Sequence, residues 1–320
     1  MEISIIITNY NGISIIKETL PTIVDAATQD PDNYYEILFI DDCSVDNSIQ
    51  YVKENYPDVK IRKTVENSGY MHANNFGVNN ARFPLVFCVN NDMKILPGTI
   101  RELAKHFQDE KVFAASGKIY DWNKNFLYGN RGGEFGEKEK GYFSYFEKNE
   151  NDTTTQSLFA CGGAFLCRKD IYLSLGGYDA ELFSPYYYDE TDLCFRALKK
   201  EWKIIYETKS VAYHKVAGTA SKQYEDSKIK VISARNNYLF AIKNIHDKDM
   251  TKQMLIYIPL SLLKDIFKLK FRFVKAFYQV IKMWKFISKK RKEEIIKGGL
   301  TAKEIFTKVK PENGNKIYKS

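Results

Sequence analysis

Three clusters in this sequence carry side chains equipped for chemistry. The first is Val89-Asn90-Asn91-Asp92-Met93. Its carboxylate follows a short apolar run, and a carboxylate at a strand exit suits a hard divalent cation. Mg²⁺ and Mn²⁺ favour oxygen ligands, and Mg²⁺ is commonly held by one or two carboxylates plus substrate phosphates. Asp92 is therefore a candidate for fixing a metal-bound diphosphate, although Asn-Asp also suits an ordinary turn. The second cluster is Tyr186-Tyr187-Tyr188-Asp189-Glu190-Thr191-Asp192. Aromatic surroundings exclude water and raise a carboxyl pKa, as a general base needs. Asp189 and Glu190 are the candidates for that base. Asp192 equally fits the first turn of a helix, where acidic residues are favoured. The third is His214, behind Val211-Ala212-Tyr213. A neutral imidazole there would ligate a metal or hydrogen-bond a phosphate. His72, His106 and His246 have less around them and are expected to be structural.

These residues need a frame. Ile3–Thr8, Glu36–Ile40, Val59–Thr64 and Leu85–Val89 read as apolar strands. Helical spacing fills Ile15–Ala27, a stretch ending near Asn55, and Tyr70–Ala81. Strands alternating with helices predict βαβ units and a parallel sheet, an α/β fold. Each strand ends in a small polar cluster: Thr8-Asn9, Asp41-Asp42, Asn67-Ser68-Gly69 and Asn90-Asn91-Asp92. Ligands of such sheets bind beyond the carboxyl ends of the strands, so four clusters on one edge predict a shared site. Tyr120–Thr155 loses periodicity and reads as loops and short edge strands, an insertion suited to covering a substrate. Lys203–Tyr206 and Val211–Tyr213 read as two short strands, and helix resumes near Ser227.

Charge narrows the function classes. The chain of 320 residues has a net charge of +8. Residues 262–292 hold eleven Lys or Arg against one Asp, which leaves the remainder at −2. A nucleic-acid-binding body is therefore not expected. Lys264, Lys268, Arg272, Lys275, Gln279, Lys282 and Lys285 recur at steps of three or four. Leu263, Ile266, Phe267, Val274, Phe277, Ile281 and Trp284 occupy the other positions. Such a helix suits an anionic membrane surface, and it equally suits packing on the body with its lysines in water. Residues 298–320 read as a weakly ordered tail. Five cysteines with no C-x-x-C pair predict reduced thiols rather than a disulfide framework or zinc ribbon. The N-terminal run lacks a basic n-region and a cleavage site, so no signal peptide is expected. The longest apolar stretch, Met254–Leu263, is about half the ~20 residues that span a bilayer. No GxGxxG, Walker A or GxSxG pattern occurs.

Taken together, in order, these segments resemble the family 2 glycosyltransferases of GT-A fold, closest to the bacterial rhamnosyltransferase-like, polysaccharide-building branch. The resemblance rests on Ile5-Ile6-Ile7-Thr8-Asn9-Tyr10-Asn11-Gly12 and Ile40-Asp41-Asp42-Cys43-Ser44-Val45-Asp46. Glu66-Asn67-Ser68-Gly69-Tyr70 with Asn74-Asn75-Phe76-Gly77, and Asn90-Asn91-Asp92, continue it. Cys161-Gly162-Gly163-Ala164, Gly176-Gly177-Tyr178-Asp179, Asp189-Glu190-Thr191-Asp192-Leu193-Cys194 and His214 complete it.

The resemblance implies roles. Thr8, Asn9 and Tyr10 would line the base and ribose of a nucleoside-diphosphate sugar, and Asp41 and Asp42 would contact them. Asn67, Gly69 and Asn74 would border the donor pocket. Asn91-Asp92 stands at the family's metal motif, so Asp92, with His214, would hold Mg²⁺ or Mn²⁺. Gly162 and Gly163 would lie beside the donor sugar and acceptor. The family usually has Glu-Asp where this chain has Asp189-Glu190, and the order places the base at Glu190 while Asp189 stays within reach of the role. The implied reaction is inverting transfer to a glycan or lipid-linked hydroxyl in cell-surface polysaccharide synthesis. The implied layout is a GT-A domain over residues 1–225 and a basic helical region over 226–320. The implied location is the inner face of the cell membrane, held through residues 262–292. A nucleotidyltransferase, or a non-catalytic membrane-recruited sugar-nucleotide-binding module, is the alternative.

Overall fold

The computed structural model describes residues 1–129, 131–135, 143–147, 154–215, 226–269, 271–309 and 317–318. Its centre is a mixed sheet. β1 (Glu2–Asn9) lies between β2 (Tyr34–Asp41) and β4 (Leu85–Asn90), parallel to both, and β3 (Lys60–Lys63) extends β2 in parallel. On the other side β11 (Ala164–Arg168) runs antiparallel between β4 and β6 (Val112–Asp121). β12 (Lys203–His214) lies parallel to β6 and antiparallel to β5 (Met93–Ile95).

β1 has no polar face because both of its faces are covered, as parallel strands require. Ile3, Ile5 and Ile7 pack with Phe39, Phe87 and Val89 under α1 (Ile13–Thr28) and α4 (Thr99–Ala104). Ile6 packs with Leu38, Ile40, Val86 and Cys88 under α3 (Tyr70–Asn80) and α7 (Asp189–Lys199). Register does the functional work: Asn9 pairs opposite Asp41, and Thr8 opposite Asn90. The polar strand ends therefore finish level on one edge.

Two expectations change here. Residues 203–214 form one strand rather than two, with a register shift between Glu207 and Val211 where Ser210 packs against Gly117. The stretch from residue 298 is ordered through Val309. α12 (Ala302–Lys308) begins on a reciprocal capping box of Thr301 and Glu304, and it buries Ala302, Ile305 and Phe306. The remainder of that tail, 310–316 and 319–320, lies outside the described residues, as do 130, 136–142 and 148–153 of the aperiodic insertion.

The C-terminal helices are α8 (Asp226–Asn244), α9 (Lys248–Phe267), α10 (Arg272–Lys282) and α11 (Trp284–Lys297). Tyr238, Leu239 and Phe240 of α8, Val280 of α10 and Ile287 of α11 join the same core as Phe195 and Leu198 of α7. These helices close the back of the α3–α7 layer. Among the described residues, none is long and apolar enough to cross a membrane. None of the five cysteines is in a disulfide.

Candidate active site

The strand ends are laced into a rigid edge. Asn9 Nδ2 donates to Ser44 Oγ (3.2 Å) and Asp41 Oδ1 (3.4 Å), and its Oδ1 accepts from Asn91 Nδ2 (2.8 Å). Asp46 Oδ2 accepts the Ile13 amide (2.9 Å), supplying α1 with a cap from a neighbouring loop. Thr8, Asn9, Asp41 and Asp42 are buried, Tyr10 is half-buried, and Asn67 is exposed. The Asp42 carboxylate accepts from the Gly69 amide (2.7 Å), the Ser68 amide (3.1 Å) and Thr64 Oγ1 (2.8 Å). Asp42 thus shapes the β3–α3 loop, and Gly69 can take φ +85° there because it lacks a Cβ. Asn74 is buried, and its amide returns to the Tyr70 carbonyl of its own helix. Its neighbour Asn75 does the longer-range work. Asn75 Oδ1 accepts from Tyr172 Oη (2.7 Å) and the Tyr178 amide (2.9 Å), and its Nδ2 donates to the Tyr178 carbonyl (2.9 Å). No local signal separates Asn75 from Asn74; only the helix phase does.

Asp92 and His214 meet as the sequence suggests. Antiparallel pairing sets His214 opposite Met93. Asp92 Oδ2 then lies 3.3 Å from His214 Nε2, and the Lys215 amide donates to the Asp92 carbonyl (3.0 Å). Asp92 Oδ1 is buried without a hydrogen-bond partner. A buried unsatisfied carboxylate oxygen is costly, and a cation would satisfy it. Among the described residues, no group of three or more His, Cys, Asp or Glu gathers to hold a metal. One carboxylate oxygen and one imidazole fit a cation that takes its other ligands from a diphosphate and water. They do not suit one caged by protein.

The Asp189–Glu190 cluster assembles from four segments. Tyr187 and Tyr188 both take positive φ (72° and 71°), turning the chain sharply into α7. Such backbone is costly for a non-glycine residue and is concentrated at functional sites. Asp189 faces inward and is only 3% exposed, whereas Glu190 is partly open. Glu190 Oε1 accepts from Tyr178 Oη (3.4 Å). Tyr178 stacks on Tyr70, whose hydroxyl donates to the Gly162 carbonyl (3.1 Å). Burial pushes the Glu190 carboxyl well above the usual carboxylate range, with the Asp189 charge and a hydrogen bond from Glu190 to Asp189 adding to it. Burial raises the Asp189 carboxyl as well. A carboxyl whose pKa is raised by burial beside a second carboxyl is poised for general-base work. Nothing in the local sequence marks Tyr70 and Tyr178 for this role, because their meeting depends on the fold.

Gly162 and Gly163 connect the two clusters. A Cβ on Gly162 would fall 1.6 Å from Glu190 Oε1, and one on Gly163 would fall 3.1 Å from Met93 Sδ. The pair therefore lies between Glu190 and the Asp92 turn. Gly162→Ala is expected to displace the Glu190 carboxyl and to lower kcat by about ten- to a hundredfold, since ~1 Å of misplacement has that scale of effect. Its melting temperature should stay near wild type. Unchanged turnover in the folded variant would remove Glu190 from the reaction.

Asp192 belongs to a different structure. It is fully buried and paired with Arg196 and Lys243, so neither catalysis nor simple capping describes it. Behind that cluster a cavity of ≈ 370 Å³ is lined by His72, Asp179, Arg196 and Lys290 among others. His72 therefore faces away from the strand-end site. His106 pairs with Glu207 (2.7 Å) and His246 with the Lys243 carbonyl (2.7 Å), both structural.

A mixed sheet with the Asp92–His214 pair at its strand ends and the Asp189–Glu190 carboxyls on a facing helix has the layout of a glycosyltransferase of the GT-A fold. Residues 4–176 match the model of glycosyl transferase family 2, and the chain belongs to that family. The uncharacterized glycosyltransferase YwdF of Bacillus subtilis (strain 168) is 25% identical over 248 residues, which is 77% of this chain and 84% of that one. TarS 1-349 of S. aureus, solved with UDP-GlcNAc, superposes at a TM-score of 0.60 and 16% identity, covering 92% of this chain and 89% of that one. Mannosyltransferase PcManGT from Pyrobaculum calidifontis, solved with GDP-Man and Mn²⁺, superposes at 0.54 and 15% identity, covering 88% and 74%. Family membership decides against the nucleotidyltransferase and non-catalytic readings.

Proposed function

We propose that the chain transfers a sugar, with inversion, from a nucleoside-diphosphate sugar to a hydroxyl of a glycan or lipid-linked acceptor in cell-surface polysaccharide synthesis. The observation that carries this is the Gly162-Gly163 floor, with Glu190 against one glycine and the Asp92 turn against the other. An anomeric carbon over that floor would have a base on one side and a diphosphate site on the other. Glu190 takes the proton of the acceptor hydroxyl. The oxygen forms its bond to the anomeric carbon as the bond to the diphosphate oxygen breaks, and one displacement inverts the centre. Asp189, buried beside it, holds the Glu190 pKa up and stays out of the acceptor's path. Asp92 and His214 would hold Mg²⁺ or Mn²⁺, which when bound supplies positive charge to the leaving diphosphate. Tyr10, Asn67 and the β1 and β2 ends would receive the nucleoside. The solved neighbours that carry UDP-GlcNAc, or GDP-Man with Mn²⁺, support this donor class.

A thermal-shift panel of nucleoside-diphosphate sugars with and without Mn²⁺ tests the reading. The matching donor should stabilise the chain by about 2.7 kcal/mol at a hundredfold excess over Kd. Asp92→Asn should remove the Mn²⁺-dependent part of that shift and weaken metal-dependent donor binding by roughly ten- to a hundredfold. An equal Mn²⁺-dependent shift in Asp92→Asn would remove Asp92 from the metal site.

A further inference from the structure

α9 is apolar on two faces, and only one of them is used. Met250, Met254 and Ile258 point into the core. Ile256, Leu260, Leu263 and Phe267, spaced by four, three and four residues, form an exposed stripe, with Leu255 (73% exposed) beside it. The turn that follows adds Leu269 (78%) and Phe271. A contiguous exposed apolar face of this length marks an interaction surface. Lys252, Lys264, Lys268, Arg272 and Lys275 are all exposed around it. Asp265, the one acid within residues 262–292, is buried and accepts the Phe273 amide (3.0 Å), so it does not dilute the basic rim.

The face takes in Leu263 and Phe267 of the stripe that the sequence suggests and extends it upstream through Ile256 and Leu260. Val274 and Phe277 of that stripe are partly buried, and Phe277 packs edge-on against Tyr238 (5.4 Å), while Ala276 and Val280 are buried in the core. α10 thus spends much of its apolar side on α8, whereas α9 and the α9–α10 turn leave theirs in solvent. A second copy of the chain is a poor occupant, because two-fold pairing would press two basic rims together. An anionic lipid surface offers both an apolar interior and negative headgroups.

We propose that the outer face of α9 and the α9–α10 turn seat in the plane of an anionic bilayer, with Leu263, Phe267 and Leu269 entering it and the lysine rim on the headgroups. This surface is independent of the transfer reading, and its test needs neither donor nor metal. The full chain is mixed with phosphatidylcholine vesicles with and without phosphatidylglycerol, and co-sedimentation is measured. Binding should be at least about tenfold tighter to the anionic vesicles and should weaken as salt rises. Leu263→Glu with Phe267→Glu should cut binding at least about tenfold at an unchanged melting temperature, since both side chains already face solvent. Lys268→Glu with Arg272→Glu should abolish the preference for anionic lipid. Vesicle binding that survives Leu263→Glu with Phe267→Glu, or no binding by the intact chain at low salt, overturns the proposal. So does a lipid-free dimer that those substitutions dissolve, which would assign the face to a second copy.

Discussion

Glu190→Gln is expected to lower kcat by about 10²–10⁴, the range that general-base catalysis contributes. The amide keeps the shape and an acceptor for Tyr178 Oη, so donor-induced thermal shifts should not change. The pH dependence is the more telling readout. A base must be deprotonated to work, and burial beside Asp189 raises the Glu190 carboxyl well above its ordinary value. Wild-type turnover should therefore rise with pH through a step above the usual carboxylate range. Glu190→Gln should flatten that step. Asp189→Asn should instead leave a base in place and move the step to lower pH, because it removes the neighbouring charge that raises Glu190. If Glu190→Gln turned over at near wild-type rate, or if Asp189→Asn alone abolished the step, the two roles would have to be exchanged or abandoned.

Much of this site was legible in the sequence for one physical reason. Parallel strands in register finish level, so polar residues at the ends of Ile3–Thr8, Glu36–Ile40 and Leu85–Val89 had to meet. What could not be read was direction within the cluster. Asp41 and Asp42 are adjacent in sequence, yet Asp41 turns to Asn9 and Ser44 while Asp42 turns to Ser68 and Gly69. The contacts of Asn75, Tyr70 and Tyr178 span about a hundred residues of chain, beyond any local pattern. The C-terminal charge misled in part. Lys290 lies within the +10 segment but pairs with Asp179 at 3.1 Å rather than facing outward. α9 was opaque because both of its faces are apolar, so periodicity could not say which one the core takes. The capping box Thr301-Ala302-Lys303-Glu304 was readable and is the plain signal for a last ordered helix.

Asp192→Asn is expected to produce the largest loss of stability of any single substitution near the site. The Asp192 carboxylate is wholly buried and accepts from Arg196 Nε (2.8 Å), Lys243 Nζ (2.9 Å) and Asn244 Nδ2 (2.8 Å). Lys243 Nζ also reaches Asp179 (2.8 Å), and Arg196 donates to the Gly177 carbonyl (2.7 Å). One carboxylate thus ties α7, which begins with Asp189-Glu190, to α8 and to the turn that presents Tyr178. A neutral amide leaves the buried Arg196 and Lys243 without the carboxylate to which both donate, and breaking such a cluster on one side costs about 3–5 kcal/mol. That is a large share of a total that is typically about 5–15 kcal/mol. At roughly 1.5–2 °C per kcal/mol for a chain of this size, the melting temperature should fall by about 5–10 °C. The pH dependence has a fixed sign. Despite burial, Lys243 and Arg196 hold the Asp192 carboxyl far below its ordinary value. A depressed folded pKa gives stability that is complete above the unfolded value of about 3.9 and is lost as pH falls through the folded one. The gap between wild type and Asp192→Asn should therefore be full at neutral pH and should shrink in acid below about pH 4. Calorimetry across that range decides it: a gap that stays constant into strong acid, or a neutral-pH shift of about a degree or less, would show that the charge on Asp192 does not hold α7 to the C-terminal helices.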